Sequence, residues 1–219
     1  PKDRPPAKGI DPKTRDGVEL DSDVSGDFAA LVFKVSMETG RRLVLMRVYS
    51  GVLEAGQAVY NVTAEKLEKA ARIFRLHAGH KEKLERAVAG DIVAVAGLKF
   101  ARTGDTLTLK GKELLLEAID TYEPVISIGV EPKSTEEGEK LDEVLAKCVI
   151  EDPTLFMKVD DDTGQRILSG MGELHLEVLM DRVRREYKLE PRVGKPQVVY
   201  QETISKSGAG AGEFNRELG

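Results

Sequence analysis

Tryptophan is absent from this 219-residue chain, aromatic residues make up only 5% of it, and a single cysteine, Cys148, is present. One cysteine excludes an internal disulfide, so stability must come from packing and hydrogen bonds. The scarcity of aromatics leaves few platforms on which single-stranded nucleic acid could stack. No apolar run approaches the roughly 20 residues of a membrane-spanning helix, and the Pro-Lys-Asp-Arg start is not a signal peptide, so a cytoplasmic protein without membrane contact is expected. Positive charge is also lacking: 33 Lys and Arg stand against 38 Asp and Glu, a formal charge of -5. Binding of nucleic acid by bulk electrostatics is thereby disfavoured, and any RNA contact must be local.

Chemical signatures are missing as well. No segment carries the GxxxxGK[ST] phosphate loop, because Gly111-Lys112 is followed by Glu113 and Gly194-Lys195 by Pro196. Asp161 to Gly164 matches a DxxG pattern formally but reads as a hairpin turn. The acidic run Asp160 to Asp162 fails as an EF-hand, since Gly164 and Met171 occupy the fifth and twelfth positions. His77 and His80 form an HxxH pair with neither the Glu nor the Cys of a zinc site. His175 has no Ser or Cys nucleophile in an evident constellation, so an orienting or interdomain hydrogen bond fits it better than a triad. No catalytic, cofactor-binding or metal-binding residue is therefore assigned.

With 41% hydrophobic and 32% charged residues, the chain fits one or two globular domains. Residues 1–24, rich in Pro, Asp and Lys, show no apolar period and read as a linker. Short Val/Leu/Phe-rich runs at 28–35, 43–49, 57–62, 71–76 and 91–99, separated by glycine-bearing turns, predict an all-β antiparallel barrel over 25–112. After a second linker at 113–122, strands alternate with helices in the order β-α-β-β-α-β, which predicts a ferredoxin-like α+β sandwich over 123–197. Its first helix spans Thr135 to about Ile150 and places Cys148 beside Leu141, Val144 and Leu145 as a small buried hydrophobe. Its second helix opens near Glu173, after a turn made by Ser169, Gly170 and Gly172 that follows the strand ending at Leu168. There Leu176, Leu179, Met180, Val183 and Tyr187 recur on one face, and burial, worth roughly 1.5–3 kcal/mol per large apolar side chain, explains them without a functional role. A last strand is expected near Leu189, and residues 198–219 read as the flexible, truncated start of a further domain.

Two local basic excesses stand out. Arg72 to Arg86 holds five cations (Arg72, Arg75, Lys81, Lys83, Arg86) against Glu82 and Glu85, and Arg182 to Lys195 holds six against two. Each is either an RNA contact or a solvated polar face.

The segment GQRILSGMGELHLEVLMDRVRREYKLEPRVGKPQVVYQETI, Gly164 to Ile204, resembles the third domain and the entry to the fourth domain of bacterial elongation factor G, a translational GTPase. Upstream, EPVISIGVEPKS (Glu123 to Ser134), FKVSMETGRRLVLMRVYSGVLEAGQAVYN (Phe33 to Asn61) and RIFRLHAGHKEKLERAVAGDIVAVAGLKFARTGDTL (Arg72 to Leu107) resemble the same factor in the same order. The resemblance implies a noncatalytic middle piece of a GTP-dependent ribosomal translocase, with GTP and magnesium held in a GTPase domain outside this chain. It implies the ribosome and the GTPase domain as partners, with the piece itself a monomer. Ser169, Gly170, Met171, Gly172, Glu173 and His175 would face the GTPase domain, with Glu173 capping or pairing across the interface. Arg72, Arg75, His77, His80, Lys81, Lys83 and Arg86 are the candidate ribosome contacts. The hairpin Met37 to Arg41 is shorter than the loop typical of that factor, which keeps a divergent second paralogue and related recycling or antibiotic-protection GTPases open. A free-standing RNA-binding module is the competing class; the absence of a [KR]G[FY][GA]FVx[FY] string and of aromatics in Arg166 to Leu168 counts against it.

Overall fold

Short β-branched and aliphatic runs punctuated by turns give way, near residue 122, to alternating strands and helices, and the fold divides at the same place. The computed structural model describes residues 5–38, 41–78, 80–117, 119 and 122–196. The expectation of a flexible start to a further domain at 198–219 lies outside the described residues, as does the tip of the hairpin between Met37 and Arg41.

The first unit contains β1 (Ala7–Ile10), β2 (Gly17–Leu20), β3 (Ala29–Glu38), β4 (Arg41–Ser50), β5 (Val52–Glu54), β6 (Ala58–Asn61), β7 (Lys66–Lys69), β8 (Arg72–His77), β9 (His80–Leu84), β10 (Arg86–Val88), β11 (Ile92–Ala96), β12 (Thr106–Thr108) and β13 (Leu115–Leu116). Eight of these form one antiparallel sheet in the order β7-β6-β12-β3-β4-β11-β8-β9, with β5 and β10 paired separately. The sheet curls around a single core that includes Phe28, Val32, Met46, Val48, Ile73 and Leu107. Curling brings edge strand β7 against the chain leaving β11. There the Glu68 carboxylate accepts hydrogen bonds from the backbone N–H groups of Lys99 and Phe100. Gly97 is required at this contact: its φ is +109°, and a Cβ would lie 2.6 Å from the Lys69 carbonyl oxygen. These are the devices of an all-β antiparallel barrel, as the sequence pattern predicts.

The reading of 1–24 and 113–122 as linkers is corrected in part. β1 and β2 pair as a hairpin, and β13 pairs with β1. Ala7, Leu20, Leu114 and Leu116 pack with Ala29 under this small sheet. Each strand is short and apolar on one side only, and β13 lies about a hundred residues from β1 in sequence, so no local period announces them.

The second unit contains β14 (Ile126–Glu131), α1 (Thr135–Glu151), β15 (Phe156–Val159), β16 (Arg166–Gly170), α2 (Glu173–Tyr187) and β17 (Arg192–Gly194), with sheet order β15-β16-β14-β17. This is the expected β-α-β-β-α-β sandwich. Ser134 caps α1 by accepting from the Glu137 N–H, and Glu136 and Glu137 occupy its positive end. Both helices cover one sheet face: Leu141, Leu145 and Cys148 of α1 and Leu176, Met180 and Val183 of α2 close on Val130 and Leu168. Cys148 is 1% exposed, and burial pushes its thiol up to about 11.

Two boundaries move. β16 runs through Ser169 and Gly170, which the sequence pattern places in a turn, because Ser169 pairs with Ser127 and Phe156 and Gly170 with Ile126. The last strand starts at Arg192 rather than near Leu189, since Leu189 is spent filling the core.

Candidate functional site

The link from β16 to α2 gathers all six residues singled out for interdomain coupling. Gly170 sits where the strand meets the helix, and an added Cβ would lie 2.8 Å from Leu176 Cδ2 and 3.2 Å from His175 Nδ1. Its φ is not positive, so close approach is what demands glycine there. Gly172, in extended backbone at the N-cap of α2, has nothing within 4 Å of a Cβ position. Glu173 does not cap the helix: the start of α2 has no side-chain cap bond, and Glu173 is exposed in the first turn, where its charge suits the helix dipole.

His175 braces this link. Its Nδ1 accepts from the Met171 N–H at 3.3 Å, which leaves the proton on Nε2 to be donated to Asp152 Oδ2 at 3.0 Å. Asp152 ends α1 and also accepts from the backbone N–H and hydroxyl of Thr154 at 2.9 and 2.6 Å. Burial acts to raise the Asp152 pKa, but these bonds outweigh it and hold the carboxyl below its ordinary range. Sequence reasoning missed Asp152, although an Asp-Pro-Thr string just past a helix is a recognisable local capping signal. On the opposite sheet face, Ser169 Oγ and Ser127 Oγ share a 2.7 Å hydrogen bond.

The basic segment from Arg72 to Arg86 does not form one patch. Cross-strand pairing sets Phe74 opposite Lys83 and Leu76 opposite Lys81, so Arg72, Lys81 and Lys83 share one face of the β8–β9 hairpin. Arg75 opposite Glu82 and His77 opposite His80 lie on the other face, and Arg86 belongs to β10, which pairs with β5. Several cations are partly neutralised: Arg75 meets Glu82 at 3.7 Å, Lys83 meets Glu85 at 3.3 Å, and Lys81 pairs with Glu38.

The first face continues into an open cleft of about 620 Å³ that Arg41, Arg42, Arg72, Lys81 and Lys99 line against the single carboxylate of Glu38. Arg72 lies over the Phe74 ring at 5.9 Å. Arg42 is structural in part, donating to the carbonyls of Lys99 and Ala101; burial pulls its pKa down. Arg41, Arg42 and Lys99 escape a reading of the sequence because β4 and the chain leaving β11 carry them to the hairpin from distant positions.

In the second basic segment, some charges are paired with neighbours inside and outside it. Arg182 pairs with Glu151 at 2.7 Å and Glu186 at 2.9 Å, Arg185 with Asp181 at 3.0 Å, and Glu190 with Lys133.

Asp161 to Gly164 forms the β15–β16 hairpin turn. Asp160 Oδ1 accepts from the N–H groups of Asp162 and Thr163 and from the Thr163 hydroxyl, while Gly164 adopts a φ of +67°. Asp160 is thus committed to its own turn. No helix among the described residues is long and apolar enough to cross a membrane.

Comparison with known proteins agrees with both units. Residues 27–110 match the family model "Elongation factor G domain 2", and residues 122–195 match "Elongation Factor G, domain III". Across all 219 residues the chain is 48% identical to "Elongation factor G 2" of Syntrophus aciditrophicus, covering 32% of that protein. Over 207 residues, 94% of the chain, it is 49% identical to "Elongation factor G 1" of Geobacter sulfurreducens, covering 30% of that protein. The chain thus spans about a third of the length of these relatives. With two successive domains matched in order and near-half identity along its length, the chain belongs to the elongation factor G family.

Proposed function

We propose that this chain is the ribosome-docking and coupling section of a GTP-driven translocation factor of protein synthesis, working in the cytoplasm as a monomer. The observation that carries this reading is the 48% identity to an elongation factor G that extends over the whole chain without a break between its two domains. In this role GTP and magnesium are bound outside the chain, and no step of nucleotide hydrolysis is assigned to its residues. The barrel supplies the ribosomal contact through the Arg72, Lys81 and Lys83 face of its hairpin and the cations of the adjoining cleft. Such a local excess suits an otherwise acidic protein, because phosphate contacts are short-ranged at physiological salt. The Ser169 to His175 link faces the GTPase domain; its tie to Asp152 makes its position depend on the end of α1, which is what transmission of a nucleotide state requires.

Co-sedimentation of the chain with small ribosomal subunits over a salt series tests the docking role. Charge reversal at Arg72, Lys81 and Lys83 is expected to weaken binding and to flatten the salt dependence by about 0.7–0.9 for each phosphate no longer neutralised. Arg75 and His77, on the other face, are expected to contribute less. Superimposable curves for wild type and the triple variant would assign those residues to solvent.

A further inference from the structure

Strand β3 outlasts its neighbour. It pairs with β12 only at Ala29 to Leu31, so beyond Val32 its outer edge has no strand beside it among the described residues. An uncovered edge is normally paired, capped or charged, and here the sandwich caps it. Ile150 near the end of α1 packs against the barrel core. The next residue, Glu151, accepts a hydrogen bond from the β3 amide of Met37 on Oε1 at 2.5 Å, and Oε2 receives the Arg182 guanidinium of α2 at 2.7 Å. The Glu151 side chain is only 12% exposed and Arg182 is 35% exposed. Burial acts to lower the Arg182 pKa, but hydrogen bonds to Glu151 and Glu186 raise it above its ordinary value. A cleft of about 620 Å³, lined by Phe33 to Ser36, Thr103, Glu151 to Pro153 and Arg182, lies beside this bond. The buried Thr103 hydroxyl in that lining has no hydrogen-bond partner among the described residues.

We propose that Glu151 is an interdomain clasp, a positioning residue that sets the orientation of the sandwich on the barrel by sharing one carboxylate between the β3 edge amide and Arg182. Two features carry this. Among the described residues, the carboxylate makes the polar bond between units that also meet where α1 packs on β3, and interdomain interfaces permit motion by default. Arg182, gripped on its other side by Glu186, holds the Glu151 carboxylate at the β3 edge, so the clasp ties both helices of the sandwich to the barrel. Neighbouring Asp152 grips His175 in the opposite direction, placing the clasp one residue from the β16–α2 link. The inference needs no ribosome for its test and stands or falls apart from the docking role.

The test is a distance distribution between spin labels at Ile92→Cys on the barrel and Val178→Cys on α2, positions 59% and 61% exposed. Cys148 is buried and stays unlabelled. The parent chain is expected to give one narrow distribution. Glu151→Ala removes both the acceptor for Met37 and the partner of Arg182, and should widen the distribution about twofold by hinge motion. The paired exchange Glu151→Arg with Arg182→Glu keeps an ion pair within the sandwich while removing the acceptor for Met37; melting should return toward the parent while the distances stay broad. Should Glu151→Ala fail to fold, Glu151→Asp, which keeps the charge but shortens the reach, is expected to show the same broadening. Distributions of parental width in the single variants, or a narrow one restored by the exchange, would overturn the proposal.

Discussion

Replacing Gly170 by alanine adds one methyl group at the point where β16 meets α2. That Cβ would stand 2.8 Å from Leu176 Cδ2, 3.2 Å from Leu176 Cγ and 3.2 Å from His175 Nδ1. Leu176 is 2% exposed and belongs to the sandwich core, so making room for the methyl means repacking that core. Overpacking of this kind costs about 1–3 kcal/mol. Alanine returns about 0.4–1 kcal/mol by restricting the unfolded chain, since the backbone angle here is open to any residue. The net loss is about 1–2 kcal/mol, which for a domain of this size lowers its melting temperature by roughly 5–15 °C. Gly172→Ser is the control: a Cβ there meets nothing within 4 Å, and serine suits an N-cap, so its effect should stay within a few tenths of a kcal/mol of zero. Thermal melting followed by circular dichroism reads both. An unchanged or raised melting temperature for Gly170→Ala would refute the argument that close approach, rather than backbone freedom, reserves this position for glycine.

Glu68→Ala should destabilise the barrel by about 2–4 kcal/mol, because the N–H groups of Lys99 and Phe100 are left without their acceptor; denaturant titration that finds no change would mean water replaces the carboxylate without cost. Burial and a pKa of about 11 should keep Cys148 from reacting with a thiol reagent at pH 8 in the folded chain, with full reaction after unfolding; rapid native labelling would contradict its place in the core. Asp142 accepts a paired hydrogen bond from Arg166, which holds its carboxyl below the ordinary aspartate value of 3.8. Its contribution is therefore present above pH 3.8 and disappears as pH falls through the depressed folded value. Asp142→Asn should cost about 0.5–1 kcal/mol at pH 7, given the solvent exposure of the pair, and the gap to the parent should close in strong acid; a gap independent of pH would place the effect in packing instead.

The elements legible in the sequence are those with a strong local period. α2 is readable from Leu176, Leu179, Met180 and Val183, all of them buried, because a helix buries the same face every three to four residues whatever lies opposite. The hairpin turn at Asp161 to Gly164 is readable for a similar reason, since Asp160 and Gly164 make the turn with their own backbone. β1, β2 and β13 are not readable, because two to four residues with one apolar side carry too little pattern, and their pairing joins the two ends of the unit. The candidate sites divide the same way. The cluster from Ser169 to His175 is contiguous and can be named from the sequence, whereas Asp152 reaches it only through packing of α1 beside α2.

Residue order alone settled the succession of a barrel and a β-α-β-β-α-β sandwich, the helical faces that become core, and the kinship with elongation factor G. These depend on short-range periodicity and on the identity of side chains, both written directly along the chain. Tertiary structure decided which cations of the Arg72 to Arg86 segment share a face, that Arg41, Arg42 and Lys99 join them, and that Glu151 bridges the two units. Cross-strand register and domain contact are nonlocal. A one-residue slip in pairing would turn Lys81 and Lys83 to the opposite side of the sheet without altering a letter of the sequence.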